Sequence, residues 1–224
     1  MILDSVIPSA LRQRVRAWLS PVAAVVVSEF LLVLIRVLTG SQARWWGCPP
    51  KAEQRIYFAN HQSHADLVMI WAALPKELRH SSRAVAARDY WCKTPFRQWL
   101  TSAVFNVIYV SRARQADEDP LEPLIDALAA GDSLILFPEG TRGHLEEPQA
   151  FKAGLYNLAC KFPNVELIPA WIANVQRVMP KGEVVPVPVL CSVTFGAPMR
   201  LHDGEDRQDF LQRARAAVLA LRDV

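Results

Sequence analysis

The chain lacks the patterns that announce several common chemistries. Its four cysteines, Cys48, Cys92, Cys160 and Cys191, stand far apart and form no C-x-x-C pair. That spacing offers neither a zinc ribbon nor a compact disulfide framework, and it predicts buried thiols in a reducing compartment. No G-x-S-x-G elbow is present, which argues against a serine hydrolase of the strand–turn–helix kind, and no H-E-x-x-H zinc helix occurs. Charge of one sign is scarce as well. With 25 basic and 22 acidic residues the formal net charge is +3, and no basic stripe interleaved with stacking aromatics appears, so nucleic acid is not expected as a partner. There is no internal repeat and no low-complexity tract.

Greasy residues are abundant. Of 224 residues, 51% are hydrophobic and seven are tryptophan. This suits one domain with a sizeable core and leans towards contact with lipid or an apolar ligand. At the start, Leu11, Val15, Trp18 and Leu19 recur at helical spacing, flanked by Arg12, Arg14 and Arg16. Residues 21–40, PVAAVVVSEFLLVLIRVLTG, approach the roughly 20 apolar residues a bilayer span needs. Glu29 and Arg36 interrupt the run, each costing roughly 2.5–3.5 kcal/mol at a membrane centre. Nearly two helical turns separate them, so they share one face. The pattern predicts interfacial or re-entrant helices with a polar face against protein, not a lipid-exposed span or a cleaved signal peptide. Arg44, Trp45 and Trp46 read as an interface anchor. Residues 1–45 are thus expected to be membrane-associating helices, and residues 50–224 a catalytic domain, with PPK at 49–51 as the boundary.

Beyond that boundary, apolar runs alternate with helical patterns. RIYFA (55–59), NVIYV (106–110), SLILF (133–137), ELIPAWI (166–172) and VLCSVTF (189–195) read as buried strands. Residues 120–131 read as a helix opened by Pro120 and stopped by Gly131, residues 148–162 as a second, and Phe210 to Leu221 as a terminal one. The expected class is α/β, a largely parallel or mixed central sheet covered by helices, with the N-terminal membrane-associating helical segment added. In such sheets ligands gather where strands end and helices begin. Three polar clusters fall there: NHQSHAD (60–66), SRAR (111–114) and PEGTRG (138–143).

In NHQSHAD, Ser63 followed by Asp66 is a variant of the helix-capping signature ahead of the apolar helix from Leu67 to Leu74. That places His61 in the loop and Asp66 in the first turn, where the carboxylate can hold one imidazole nitrogen and leave the other free as a base. His61, His64 and Asp66 can alternatively be read as metal ligands, and the whole stretch as a polar cap without chemistry. In the third cluster, Gly140 and Gly143 permit a tight turn exposing backbone N–H groups, and Arg142 adds a planar fork suited to phosphate. Glu139 is unusual beside an anion and is expected to orient Arg142 or to accept from a substrate hydroxyl. Arg112 offers a second phosphate contact, while Arg114 is expected to be a surface charge.

Taken in order, these clusters resemble the glycerolipid acyltransferase family that includes the 1-acyl-glycerol-3-phosphate acyltransferases. NHQSHAD matches its N-H-x-x-x-x-D block and FPEGTR (137–142) its F-P-E-G-T-R block. Residues 87–112, with Pro95 and the closing arginine, resemble the block between, and LIPAWI, centred on Pro169, resembles the fourth. FKAGLYNLA, with Lys152 and Gly154, matches the segment that follows the third. Gln98 and Ser111 stand where a glycine and an acidic residue are common, which leaves the acceptor pocket open to difference. The N-terminal region is similar to that of bacterial members with a two-helix membrane motif.

The resemblance implies a direct O-acyl transfer. His61 would be the general base on a lysophospholipid hydroxyl, oriented by Asp66. Glu139, Gly140, Thr141 and Arg142, together with Arg112, would bind the acceptor's phosphate and glycerol. The donor would be acyl carrier protein or coenzyme A carrying a fatty acyl thioester, with neither metal nor cofactor required. The expected location is the cytoplasmic face of a membrane, peripheral or monotopic (the inner membrane in a bacterium). Rival functions are acylation of another lysolipid such as a lyso-ornithine lipid, a metal-dependent hydrolase using His61, His64 and Asp66, and a non-catalytic lipid-binding protein.

Overall fold

The computed structural model describes residues 9–40, 42–63, 65–111, 119–143, 147–174 and 190–224. His64, Arg112 and Arg114 lie outside the described residues. Along the chain the elements are α1 (Ser9–Thr39), β1 (Gln42–Trp45), β2 (Arg55–Ala59), α2 (Asp66–Ala73), α3 (Lys76–His80) and β3 (Ser82–Ala87). There follow α4 (Arg88–Trp91), α5 (Pro95–Trp99), a π-helical turn (Leu100–Val104), β4 (Ile108–Val110) and α6 (Glu122–Ala129). The last are β5 (Ser133–Leu136), α7 (Gly154–Lys161), β6 (Glu166–Ala173), β7 (Ser192–Phe195) and α8 (Arg207–Leu219).

The strands form one seven-stranded sheet in the order β1-β7-β6-β2-β5-β3-β4. Every pairing is parallel except the antiparallel β6–β7 pair, so the sheet is mixed. Central β2 shows why its sequence reads as an unbroken apolar run. Ile56 and Phe58 point into the core shared with α6, α7 and α8, while Tyr57 and Ala59 point into the opposite core shared with α1 and α2. A strand covered on both faces has no solvent side on which to place polar residues.

Two expectations about the N-terminal region change. Instead of two helices, α1 is a single helix that carries Pro21 in its interior. Trp45 is half-buried. It belongs to an edge strand and stacks on Phe195 at a centroid distance of 4.1 Å, whereas Trp46 is exposed. Gln42–Trp45 therefore extends the sheet, and the PPK boundary is tied to it as well: the Arg55 guanidinium, buried at the start of β2, donates to the Pro49 carbonyl at 3.1 Å and pairs with Glu166 at 3.3 Å.

Helix α1 is apolar on two sides. Ala24 and Leu32, with Val27, Leu31 and Ile35, pack onto the protein core. Val22, Val25, Val26, Phe30, Val33 and Val37 point outward, with Val37 75% exposed. Glu29 and Arg36 are exposed as well, and both act electrostatically on Arg79 of α3, whose pKa burial lowers and Glu29 pulls part of the way back. No helix among the described residues is long and apolar enough to cross a membrane.

Candidate active site

The parallel register sets where the loops meet. Tyr57 and Phe58 pair with Ile135 and Leu136, so β2 and β5 end side by side and release loops 60–66 and 137–143 from the same edge. The β3–β5 and β3–β4 pairings bring the ends of β3 and β4 to that edge too. Ser111 follows β4 there; Arg112, expected to contact phosphate, lies outside the described residues.

Asn60 anchors the first loop. Its buried side-chain amide donates to the Ile172 carbonyl at 3.1 Å and its side-chain oxygen accepts from the Ile172 N–H at 2.8 Å, locking the end of β2 onto β6. Asn60 had no role assigned from sequence. Its pairing partner is 112 residues away, and only the fold reveals it. Truncation by Asn60→Ala leaves a buried donor and acceptor unpaired and is expected to lower stability by about 1–3 kcal/mol, measurable by denaturant melting.

His61 Nδ1 lies 2.9 Å from Asp66 Oδ2. The same Asp66 oxygen accepts from the backbone N–H groups of Gln62 at 2.6 Å and Ser63 at 2.8 Å. Asp66 is 1% exposed, so its charge is compensated by these donors and not by water. An ionised carboxylate can only accept, so Nδ1–H donates to Asp66 and Nε2 is left as the basic nitrogen. The ring stacks on Phe137 with centroids 4.5 Å apart, and its side chain keeps 17% exposure. The capping signature is half realised: Asp66 reaches back to the Ser63 N–H, but the Ser63 hydroxyl accepts from Ala65 and not from Asp66.

The second loop meets the first through Glu139, where the expected role changes. Its carboxylate is 2% exposed; one oxygen accepts from the His61 N–H at 2.7 Å and the other from the Gln149 N–H at 2.8 Å. Both oxygens therefore serve backbone donors, and Glu139 braces the His61 loop instead of facing a substrate hydroxyl or Arg142. Burial pushes its pKa up, and the two backbone hydrogen bonds pull it back. Gly143 completes the brace by donating its N–H to the His61 carbonyl at 2.8 Å.

The glycines also serve differently from expectation. Phe137 to Gly140 forms a turn closed by the Gly140 N–H on the Phe137 carbonyl at 3.0 Å, with Gly140 at φ +70°. The amides of Gly140 and Gly143 are thus spent inside the protein and are not offered to an anion. Thr141 and Arg142 are exposed at the loop tip, and the Lys152 ammonium lies over Gly140, 2.6 Å from where a Cβ would stand. Lys152 was not expected among the site residues, because twelve positions separate it from Gly140; its backbone N–H reaches back to the Pro138 carbonyl at 2.8 Å. Gly140→Ala should both strain the turn and push Lys152 aside. A several-fold rise in KM for a phosphate-bearing substrate, with kcat little changed, is the expected kinetic result.

A family model for acyltransferases matches residues 49–173, more than half of the chain. The chain belongs to the acyltransferase family. It is similar to a 1-acyl-sn-glycerol-3-phosphate acyltransferase of Chlamydomonas reinhardtii, 27% identical over 135 residues that make up 60% of this chain and 39% of the relative. It is also similar to the human 1-acyl-sn-glycerol-3-phosphate acyltransferase alpha, 26% identical over 163 residues, 70% of this chain and 54% of that one. The chain thus spans between about two fifths and one half of the length of these relatives. The fold matches the crystal structure of the 1-acyl-sn-glycerophosphate acyltransferase PlsC from Thermotoga maritima with a TM-score of 0.69 at 21% identity, covering 94% of this chain and 81% of that one. The matched segment carries the His61, Asp66 and Glu139 loops and Lys152.

Proposed function

We propose that this acyltransferase moves a fatty acyl group from an acyl thioester, of acyl carrier protein or coenzyme A, to the free hydroxyl of a 1-acyl-glycerol-3-phosphate, giving phosphatidate. The observation that carries the reading is the 2.9 Å contact between His61 Nδ1 and a buried Asp66 carboxylate. That contact leaves Nε2 to take a proton. The printed names of the relatives support the acceptor.

The chemistry balances without a covalent acyl-enzyme. Nε2 of His61 removes the hydroxyl proton as the oxygen attacks the thioester carbonyl. The carbon–sulfur bond then breaks, the departing sulfur takes the proton from the imidazolium, and ester and thiol are released. Asp66 holds the ring and stabilises its transient charge. Arg142 and Lys152 meet the acceptor phosphate, with Thr141 next to Arg142 at the exposed loop tip, and Arg112 is proposed as a further phosphate contact. No metal or cofactor enters the scheme beyond the thioester co-substrate.

An amphiphilic acceptor lives in a bilayer, and the outward stripe of α1 suits attachment to one leaflet, peripheral or monotopic, at the cytoplasmic face where the thioester donors are. The test is an acceptor panel in detergent: lysophosphatidate, a monoacylglycerol without phosphate, and a lyso-ornithine lipid. Preference for lysophosphatidate, reduced towards the monoacylglycerol level by Lys152→Ala, is the expected outcome. Equal rates with the phosphate-free acceptor would contradict the assignment.

A further inference from the structure

Helix α1 packs directly against the π-helical turn at 100–104. The segment just before that turn, residues 88–99, presents a second unusual surface. Its sequence, RDYWCKTPFRQW, holds four aromatic residues, three cations and the single acid Asp89. The fold pins it firmly. Thr94 caps α5 by accepting the Arg97 N–H at 3.3 Å, with Pro95 at the helix start. At the other end Trp99 and Leu100 pack onto the α1-side core, and the buried Thr101 hydroxyl is tied to the Arg97 carbonyl at 2.8 Å.

What this rigid strap holds outward is apolar and basic together. Phe96 is 68% exposed, with its ring centroid 6.2 Å from that of Trp99. Lys93 is exposed, and the Arg97 guanidinium sits 5.2 Å from the Tyr90 ring centroid, keeping its charge beside the aromatic group. A lone exposed phenylalanine is ordinary. One flanked by cations, on a helix that runs into the turn packed against α1, has the composition of a membrane interface.

We propose that residues 88–99 form a second lipid contact, in which Lys93 and Arg97 take anionic phospholipid headgroups while Phe96 inserts among the chains. This rests on the membrane attachment of α1 proposed above and adds to it a dependence on lipid charge. Charge complementarity and continuity with α1 favour a bilayer as occupant over an acidic carrier protein, which would leave Phe96 in water or demand an apolar patch of its own.

The test is flotation of the full chain with vesicles of neutral lipid alone and with a third anionic lipid, beside Lys93→Gln/Arg97→Gln. The wild type is expected to bind neutral vesicles through α1 and anionic ones more tightly. The double variant should lose about 30-fold on anionic vesicles at low salt, and little on neutral ones. A second variant, Lys93→Gln/Phe96→Ser, changes only exposed side chains and should weaken binding to both vesicle types. Melting temperature and turnover on detergent-dispersed substrate should stay at the wild-type level. An unchanged anionic preference in both variants overturns the proposal. So does a selective rise in KM for an acyl carrier protein thioester, with vesicle binding intact, because that assigns the patch to the carrier protein. Failure of wild-type vesicle binding sinks the attachment of α1 itself, whereas turnover in detergent tests the acyl transfer independently.

Discussion

His61→Ala is expected to lower kcat by roughly 10²–10⁴-fold, the loss that follows removal of a positioned general base. The surrounding loop should survive the change. Asp66 still accepts from the Gln62 and Ser63 amides, and the His61 backbone still donates to Glu139 and accepts from Gly143. KM for both substrates and the melting temperature should therefore change little, which separates loss of chemistry from loss of structure. Asp66→Asn refines the point. An amide oxygen can still serve the two backbone donors, but it withdraws the charge that stabilises a protonated ring. A fall in kcat without a rise in KM is the pattern that marks Asp66 as a positioning partner of His61. If kcat is kept in both variants, the ring and the carboxylate are only parts of a loop.

The second large effect belongs to Glu139, and it falls first on stability. Glu139→Ala removes the acceptor for two backbone N–H groups, those of His61 and Gln149, in a buried setting. At about 1–3 kcal/mol for each orphaned donor, a destabilisation of roughly 2–6 kcal/mol is expected. Activity should fall with it, because one of those donors belongs to the residue that carries the base. Denaturant unfolding beside steady-state kinetics distinguishes this from a substrate contact: a residue that met only the acceptor would raise KM and leave the unfolding midpoint in place. The raised pKa has a sign of its own. A carboxyl whose folded pKa lies above its unfolded value opposes folding increasingly as pH rises through the folded pKa. Burial of that charge is thus a cost at neutral pH, which the two backbone hydrogen bonds offset only in part.

The particular elements explain what sequence could and could not tell. RIYFA and ELIPAWI stood out because strands covered on both faces must be apolar throughout, and both occur nearly as expected, at Arg55–Ala59 and Glu166–Ala173. β3, SRAVAA, was missed. Its alanines and single valine lack the bulky branched side chains that mark a strand, yet the segment sits between β5 and β4, where neighbours on both sides pair it. β1 hid behind Trp45 and its neighbour Trp46, which read as an anchor when only their burial in three dimensions tells one from the other. At the site, His61 and Asp66 were legible because a helix start brings residues five apart together. Glu139 was named as a site residue, but its bracing role was not legible, since its partners are 78 and 10 positions away and are backbone amides that leave no trace in sequence. Lys152 and Asn60 escaped for the same reason of distance along the chain.

Direct transfer by a His61 base is tested most directly by one experiment. Detergent-purified protein is incubated with lysophosphatidate and a long-chain acyl thioester, free thiol and phosphatidate are followed together, and His61→Ala runs alongside. The account predicts thiol and phosphatidate rising one for one, no thiol burst before acceptor is added, and both rates falling together in the variant. Thiol release that persists in His61→Ala, or that runs ahead of phosphatidate as a burst matching the enzyme concentration, would contradict it.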